Sequence, residues 1–104
     1  MKDITELEAE ELRFRGDFAL FLYTPLCGTC KVAMRMLEVI EAMHPNLELY
    51  RTNVNFAPGL VQRWRITSIP CILLFQKGRV TKSIYAMHSV DGLYQLLKPI
   101  IERS

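Results

Sequence analysis

Cys27 and Cys30, separated by Gly28 and Thr29, follow the apolar run Asp17 to Tyr23 and open a segment with helical patterning. Two thiols at this spacing on the first turn of a helix fall within the Cα separation of roughly 4.4 to 6.8 Å that a disulfide tolerates, so the pair opens and closes reversibly. The unpaired backbone N–H groups of that turn stabilise negative charge on the leading sulfur and raise its thiolate fraction. Cys27 is therefore the expected nucleophile, and thiol–disulfide exchange the leading chemistry. A structural pair or half of a metal site is the plainer reading, but four-coordinate zinc needs two further ligands, and His44, Cys71 and His88 show no second pair at ligand spacing. Metal or iron–sulfur binding between two subunits stays open as an alternative, tested by metal analysis of freshly purified protein.

The chain as a whole sets wide bounds. One domain spanning residues 1–104, half of it apolar, has enough material for a single core without a disulfide scaffold. The formal charge of +2 is spread along the sequence and implies neither a nucleic-acid surface nor a polybasic membrane patch. The apolar runs Phe18 to Tyr23 and Cys71 to Phe75 are too short to cross a bilayer as helices. Met1-Lys2-Asp3 leads into an acidic stretch with no apolar h-region, so export is not expected. Three cysteines suit a catalytic pair plus one extra thiol in a reducing compartment, and a cytoplasmic monomer is the expectation.

Periodicity supplies the elements that must position the thiols. Thr5 with Glu8 forms a capping-box signature, predicting a helix over residues 5–15. Asp17 to Tyr23 reads as a central strand covered on both faces. Ala33, Met36, Leu37, Ile40 and Met43 recur at helical spacing until Pro45 forces an end near His44. A strand containing Leu47 and Leu49 ends near Thr52 or Val54, a short helix falls within residues 57–64, and a very short strand is expected around Lys2 to Ile4. Cys71 to Gln76 and Arg79 to Ile84 form a hairpin through Lys77-Gly78, where glycine supplies positive φ. Leu93, Leu96, Leu97, Ile100 and Ile101 make one helical stripe after a Ser89 cap, with Pro99 removing one donor near the end. The order is that of a mixed α/β domain.

With Cys27-Gly28-Thr29-Cys30 between strand and helix, and Ser68-Ile69-Pro70 directly before Cys71 to Phe75 and Lys77-Gly78, the chain resembles the thioredoxin family over nearly its whole length. Asn53, Pro58-Gly59 and Trp64 reinforce the register. The resemblance implies a central mixed sheet flanked by helices, a cis Ile69-Pro70 bond opposite the dithiol, and a backbone at Ile69 that pairs with an extended substrate segment. It implies that Cys27 attacks a protein disulfide and Cys30 resolves the mixed disulfide, with Leu26, Gly28, Thr29, Val54, Ile69, Pro70 and Tyr85 contacting the substrate. A flavin-dependent thioredoxin-reductase-type enzyme would regenerate the dithiol, no cofactor being held by the chain itself.

Departures from the family pattern point away from a general thioredoxin. Leu26 and Thr29 stand where the best-known members carry tryptophan and proline, which predicts a less strongly reducing couple. Phe21 occupies the position of the buried aspartate that assists proton transfer to the resolving sulfur, so water is expected to take that task. Arg51 aligns with the lysine beside the aspartate and needs another partner or a path to solvent. Ala86 replaces a glycine after the last strand, and Tyr85 and Met87 reshape the groove. A redox sensor or binding module with little turnover is the reading from a different class that these losses favour. Cys71 reads as a small buried core residue, the sharper alternative being a regulatory disulfide with Cys30. Trp64 reads as packing, His44 as a helix end and His88 as solvated.

Overall fold

The computed structural model of the chain describes residues 1–102. Its elements are β1 (Lys2–Asp3), α1 (Glu6–Leu12), β2 (Phe18–Tyr23), α2 (Gly28–Met43), β3 (Leu49–Asn53), a 3-10 turn (Val54–Phe56), α3 (Pro58–Arg63), β4 (Cys71–Gln76), β5 (Arg79–Ile84) and α4 (Val90–Ile101). The strands form one sheet in the order β1-β3-β2-β4-β5. β1, β3 and β2 run parallel, while β4 is antiparallel to both β2 and β5. This is the thioredoxin fold, a central mixed sheet with helices on its two faces.

β2 and β4 are apolar at nearly every position because both faces of the sheet centre are covered. Alternation sorts their side chains. Ala19, Phe21, Ile72 and Leu74 pack with Ala33, Leu37 and Ile40 of α2 and Leu93, Leu97 and Ile100 of α4. Phe18, Leu20, Leu22, Cys71, Leu73 and Phe75 face the other way, with Ala9 of α1 and Leu60 of α3. Each fully buried Leu or Phe contributes about 1.5–3 kcal/mol, so this two-sided burial outweighs any single polar contact in the molecule. On the second face Phe75 stacks on Phe18 at 4.4 Å between ring centroids and meets Trp64 edge-on at 5.1 Å, which gives Trp64 its packing role. The edges are unlike the centre: β1 has two residues, and β5 exposes Arg79 and Lys82, features that discourage pairing with another chain.

Several ends fall where the sequence places them, and others differ for local reasons. The Thr5–Glu8 capping box is complete, but α1 stops at Leu12 rather than residue 15. There Phe14 N–H donates to Glu11 O and Arg15 N–H to Leu12 O, so the last residues tighten into turns. Leu47 is buried but precedes the strand, which begins at Leu49. α4 is capped by Ser89, whose hydroxyl accepts from Gly92 N–H, and runs through Pro99 to Ile101. The Lys77-Gly78 turn has positive φ at both residues, 53° and 80°, the combination a two-residue type I′ hairpin requires.

Two features of α3 have no counterpart in local sequence pattern. Its N-cap, Ala57, has no capping side chain, and Glu6 of α1 takes that role by accepting from Leu60 N–H at 2.7 Å. A Cβ on Gly59 would lie 3.0 Å from the same Glu6 oxygen, so glycine permits the approach. At its other end, Ile66 N–H donates to Val61 O and Arg65 N–H to Gln62 O, the bond pair of a Schellman motif. Arg65 occupies the left-handed position of that motif, with φ of 52°.

Because an L side chain is disfavoured in that conformation and glycine is not, Arg65→Gly is expected to stabilise the fold by about 0.5–1 kcal/mol despite glycine's larger unfolded-state entropy. A urea midpoint that stays put or falls would contradict this.

Candidate functional site

One end of the sheet collects the dithiol and the residues that the resemblance assigns to its groove. Leu22 near the end of β2 pairs with Cys71 at the start of β4, Tyr23 pairs with Asn53 at the end of β3, and Ile72 pairs with Ile84 at the end of β5. The residues just beyond these pairs therefore converge: Leu26 and Cys27 after β2, Val54 after β3, Ile69 and Pro70 before β4, and Tyr85 after β5. The Ile69-Pro70 bond is cis. Ile69 packs against the cores on both faces of the sheet.

Cys27 leaves β2 through Thr24-Pro25-Leu26 and becomes the N-cap of α2, its backbone extended at φ −97° and ψ 111°. Gly28, Thr29 and Cys30 are the first three residues of the helix. Cys27 and Cys30 are joined in a disulfide with a Cα separation of 5.2 Å. The Cys27 sulfur accepts from Cys30 N–H at 3.1 Å, the same bond a serine or aspartate makes when it caps a helix. Thr29 Oγ1 lies 3.3 Å from that sulfur. The pair is asymmetric: Cys27 is half-buried, whereas Cys30 sits in the α2 face of the core at 1 % exposure. Around it Leu26 is 96 % exposed and Tyr85 half-exposed, while Gly28 and Thr29 lie open on the surface and Val54, Ile69 and Pro70 are half-buried.

Below the dithiol, Phe21 is completely buried and stacks with Tyr23. No proton can be held at that position. Arg51, its neighbour across the β2–β3 ladder, finds a partner that the sequence did not indicate. Its Nε donates to Asp3 Oδ2 at 3.0 Å, a terminal nitrogen donates to Met34 Sδ at 3.1 Å, and its guanidinium lies over the Tyr23 ring. Tyr23 completes the group by donating its hydroxyl to Asp3 Oδ1 at 2.7 Å. Partial burial, reinforced by that carboxylate, raises the Tyr23 hydroxyl above the usual tyrosine range. Asp3 and Arg51 are 48 residues apart, and only the parallel β1–β3 pairing joins them.

Cys71 is fully buried on the face opposite Cys30, among Phe18, Leu73 and Phe75. Burial pushes its thiol up to about 11, opposed in part by a hydrogen bond with Tyr85. Both facts make it a core residue rather than a second nucleophile. His44 ends α2 and stacks on Tyr94, and His88 is exposed. Among the described residues no group of three or more His, Cys, Asp or Glu side chains is placed to hold a metal ion.

Residues 10–99 match the family model described as thioredoxin. The chain is 42 % identical over 98 residues to the thioredoxin-like protein YusE of Bacillus subtilis, covering 94 % of this chain and 92 % of that one. It is 29 % identical over 76 residues to the bifunctional thioredoxin reductase/thioredoxin of Mycobacterium leprae, covering 72 % of this chain and 17 % of that protein. In architecture it superposes on oxidised mitochondrial thioredoxin 3 of Saccharomyces cerevisiae with a TM-score of 0.84 at 19 % identity, over 95 % of this chain and 94 % of the other. With a cysteine pair spaced and capped in this way, the chain belongs to the thioredoxin family, and its kind of activity is thiol–disulfide oxidoreduction.

Proposed function

We propose that the protein reduces disulfides in other proteins, working as a monomer in the cytoplasm. The observation that carries this reading is the asymmetry of the dithiol: a reachable Cys27 sulfur held by an amide of the helix start, backed by a buried Cys30 within bonding distance.

In the reduced protein the Cys27 thiolate attacks one sulfur of the substrate disulfide, forming a mixed disulfide and expelling the first substrate thiolate, which takes up a proton. Cys30 then loses its proton and attacks the Cys27 sulfur. The Cys27–Cys30 disulfide forms and the second substrate thiol departs, so two electrons and two protons have passed to the substrate. With Phe21 in place of an acid, water receives the Cys30 proton. Leu26 and Tyr85, with Gly28, Thr29, Val54 and Pro70, offer the substrate surface, and the Ile69 backbone pairs with an extended segment of it. A flavoenzyme of the thioredoxin-reductase type returns the electrons. The Mycobacterium leprae relative, whose name joins a thioredoxin reductase and a thioredoxin in one protein, supports that pairing. The reading of a sensor or binding module with little turnover is favoured by one feature, the buried phenylalanine where an acid would help Cys30 ionise.

Turnover of a protein disulfide with such a reductase separates the two. Cys27→Ser is expected to abolish reduction, and Cys30→Ser to accumulate a trapped mixed disulfide that identifies the substrate. Wild-type protein that reduces no substrate faster than a buffer dithiol would favour the sensor, and sustained turnover in both variants would defeat the dithiol mechanism. Because burial suppresses the Cys71 thiolate at neutral pH, graded oxidation read by mass spectrometry is expected to yield the Cys27–Cys30 linkage alone, and Cys71→Ala to retain turnover. A Cys30–Cys71 linkage in the folded protein would overturn that assignment.

A further inference from the structure

Two donors converge on the Cys27 sulfur, and one of them belongs to Thr29, between the cysteines. Cys30 N–H lies 3.1 Å away and Thr29 Oγ1 3.3 Å away. A disulfide sulfur carries no hydrogen, so in this oxidised state it is the threonine hydroxyl that donates. Among the described residues no other hydrogen bond and no ion pair reaches either sulfur of the pair. The position is open as well: Thr29 is exposed, and a Cβ built on the adjoining Gly28 meets nothing within 4 Å. Among the described residues that sulfur is the one side-chain partner of the Thr29 hydroxyl, which lies within reach of water.

We propose that Thr29 is a catalytic residue of this site, its hydroxyl stabilising the Cys27 thiolate and thereby making the dithiol a weaker reductant than it would be without that hydroxyl. The inference rests on the exchange function proposed above and identifies what sets the balance of its redox couple. A divalent sulfur in a disulfide is a weak acceptor, whereas a thiolate accepts a charge-assisted hydrogen bond roughly twice as strong as a neutral one. The same O–H therefore gains strength when the disulfide is reduced, and it favours the reduced form. With glutathione as the reductant, the Cys27–Cys30 disulfide and two glutathione thiols yield the Cys27 thiolate, the Cys30 thiol, one glutathione disulfide and one released proton. The hydroxyl biases that equilibrium toward the products. Proline at this position would supply neither a hydroxyl nor a backbone N–H.

Thr29→Val keeps the branched shape and removes the donor, and Thr29→Ser keeps the donor. Equilibration of each purified full-length protein in a glutathione redox series reads the effect directly. Thr29→Val is expected to shift the equilibrium about tenfold toward the disulfide, equivalent to about 30 mV for this two-electron couple, and to lower the thiolate absorbance of the reduced protein at neutral pH. Thr29→Ser is expected to stay within about twofold of wild type, the spread left to a hydroxyl freer to rotate. A valine variant indistinguishable from wild type, or a serine variant shifted as far as valine, would overturn the proposal. Neither measurement uses a protein substrate or a reductase, so failure of the reductase assay and failure of this inference are separate outcomes.

Discussion

The antiparallel pairing of β2 with β4, buried on both faces, is the constraint from which the site follows. Register alone puts Leu22 against Cys71, and so places the loop that leaves β2 beside the cis Ile69-Pro70 segment that enters β4. A shift of one residue would send the side chains of one strand into the opposite core, where the space is already filled by others, so the packing of α2 and α4 on one face and of α1 and α3 on the other enforces the alignment. The dithiol needs no pocket of its own. It sits where a rigid sheet ends and a helix begins, and the chemistry is supplied by that junction.

The helix start performs the electrostatic work that a side-chain cation or acid would do elsewhere. Cys27 fills the N-cap position usually taken by an oxygen-bearing side chain, so the hydrogen bond that satisfies an orphan amide also holds the reacting sulfur. This makes capping and reactivity one interaction. The residues that differ from the family pattern then act on what surrounds it: Phe21 removes a proton store beneath Cys30, and Thr29 brings a hydroxyl to Cys27. Arg51 is retained as a cation without the buried acid, and it turns outward to Asp3 on the short edge strand, where an exposed pair of this kind contributes at most about 1 kcal/mol.

The third cysteine shows how strongly position within the sheet controls thiol chemistry. Cys71 is adjacent in sequence to Pro70 and therefore close to the site, but strand alternation aims its side chain into the face away from Cys30. Burial there raises its thiol to about 11 and leaves it packing among aromatic rings. Proximity along the chain and access to the reaction are separate properties in a two-layered core.

The sequence by itself determined the elements and the reactive pair. Helical and strand periodicities, the Thr5–Glu8 and Ser89 caps, the Lys77-Gly78 hairpin and the Cys27–Cys30 spacing are all local, and local patterns survive translation into structure because nearby residues carry their own geometry. The tertiary structure decided what depends on partners far apart in the chain. Glu6 capping α3, Asp3 neutralising Arg51 and Cys71 turning away from the dithiol arise from packing across dozens of residues. The aim of the Thr29 hydroxyl at sulfur joins them for a different reason: the pattern of residue types marks the turn, but only the backbone path through the cap sets where that short side chain points. Such contacts are selected by the whole fold at once, and no window of sequence contains them.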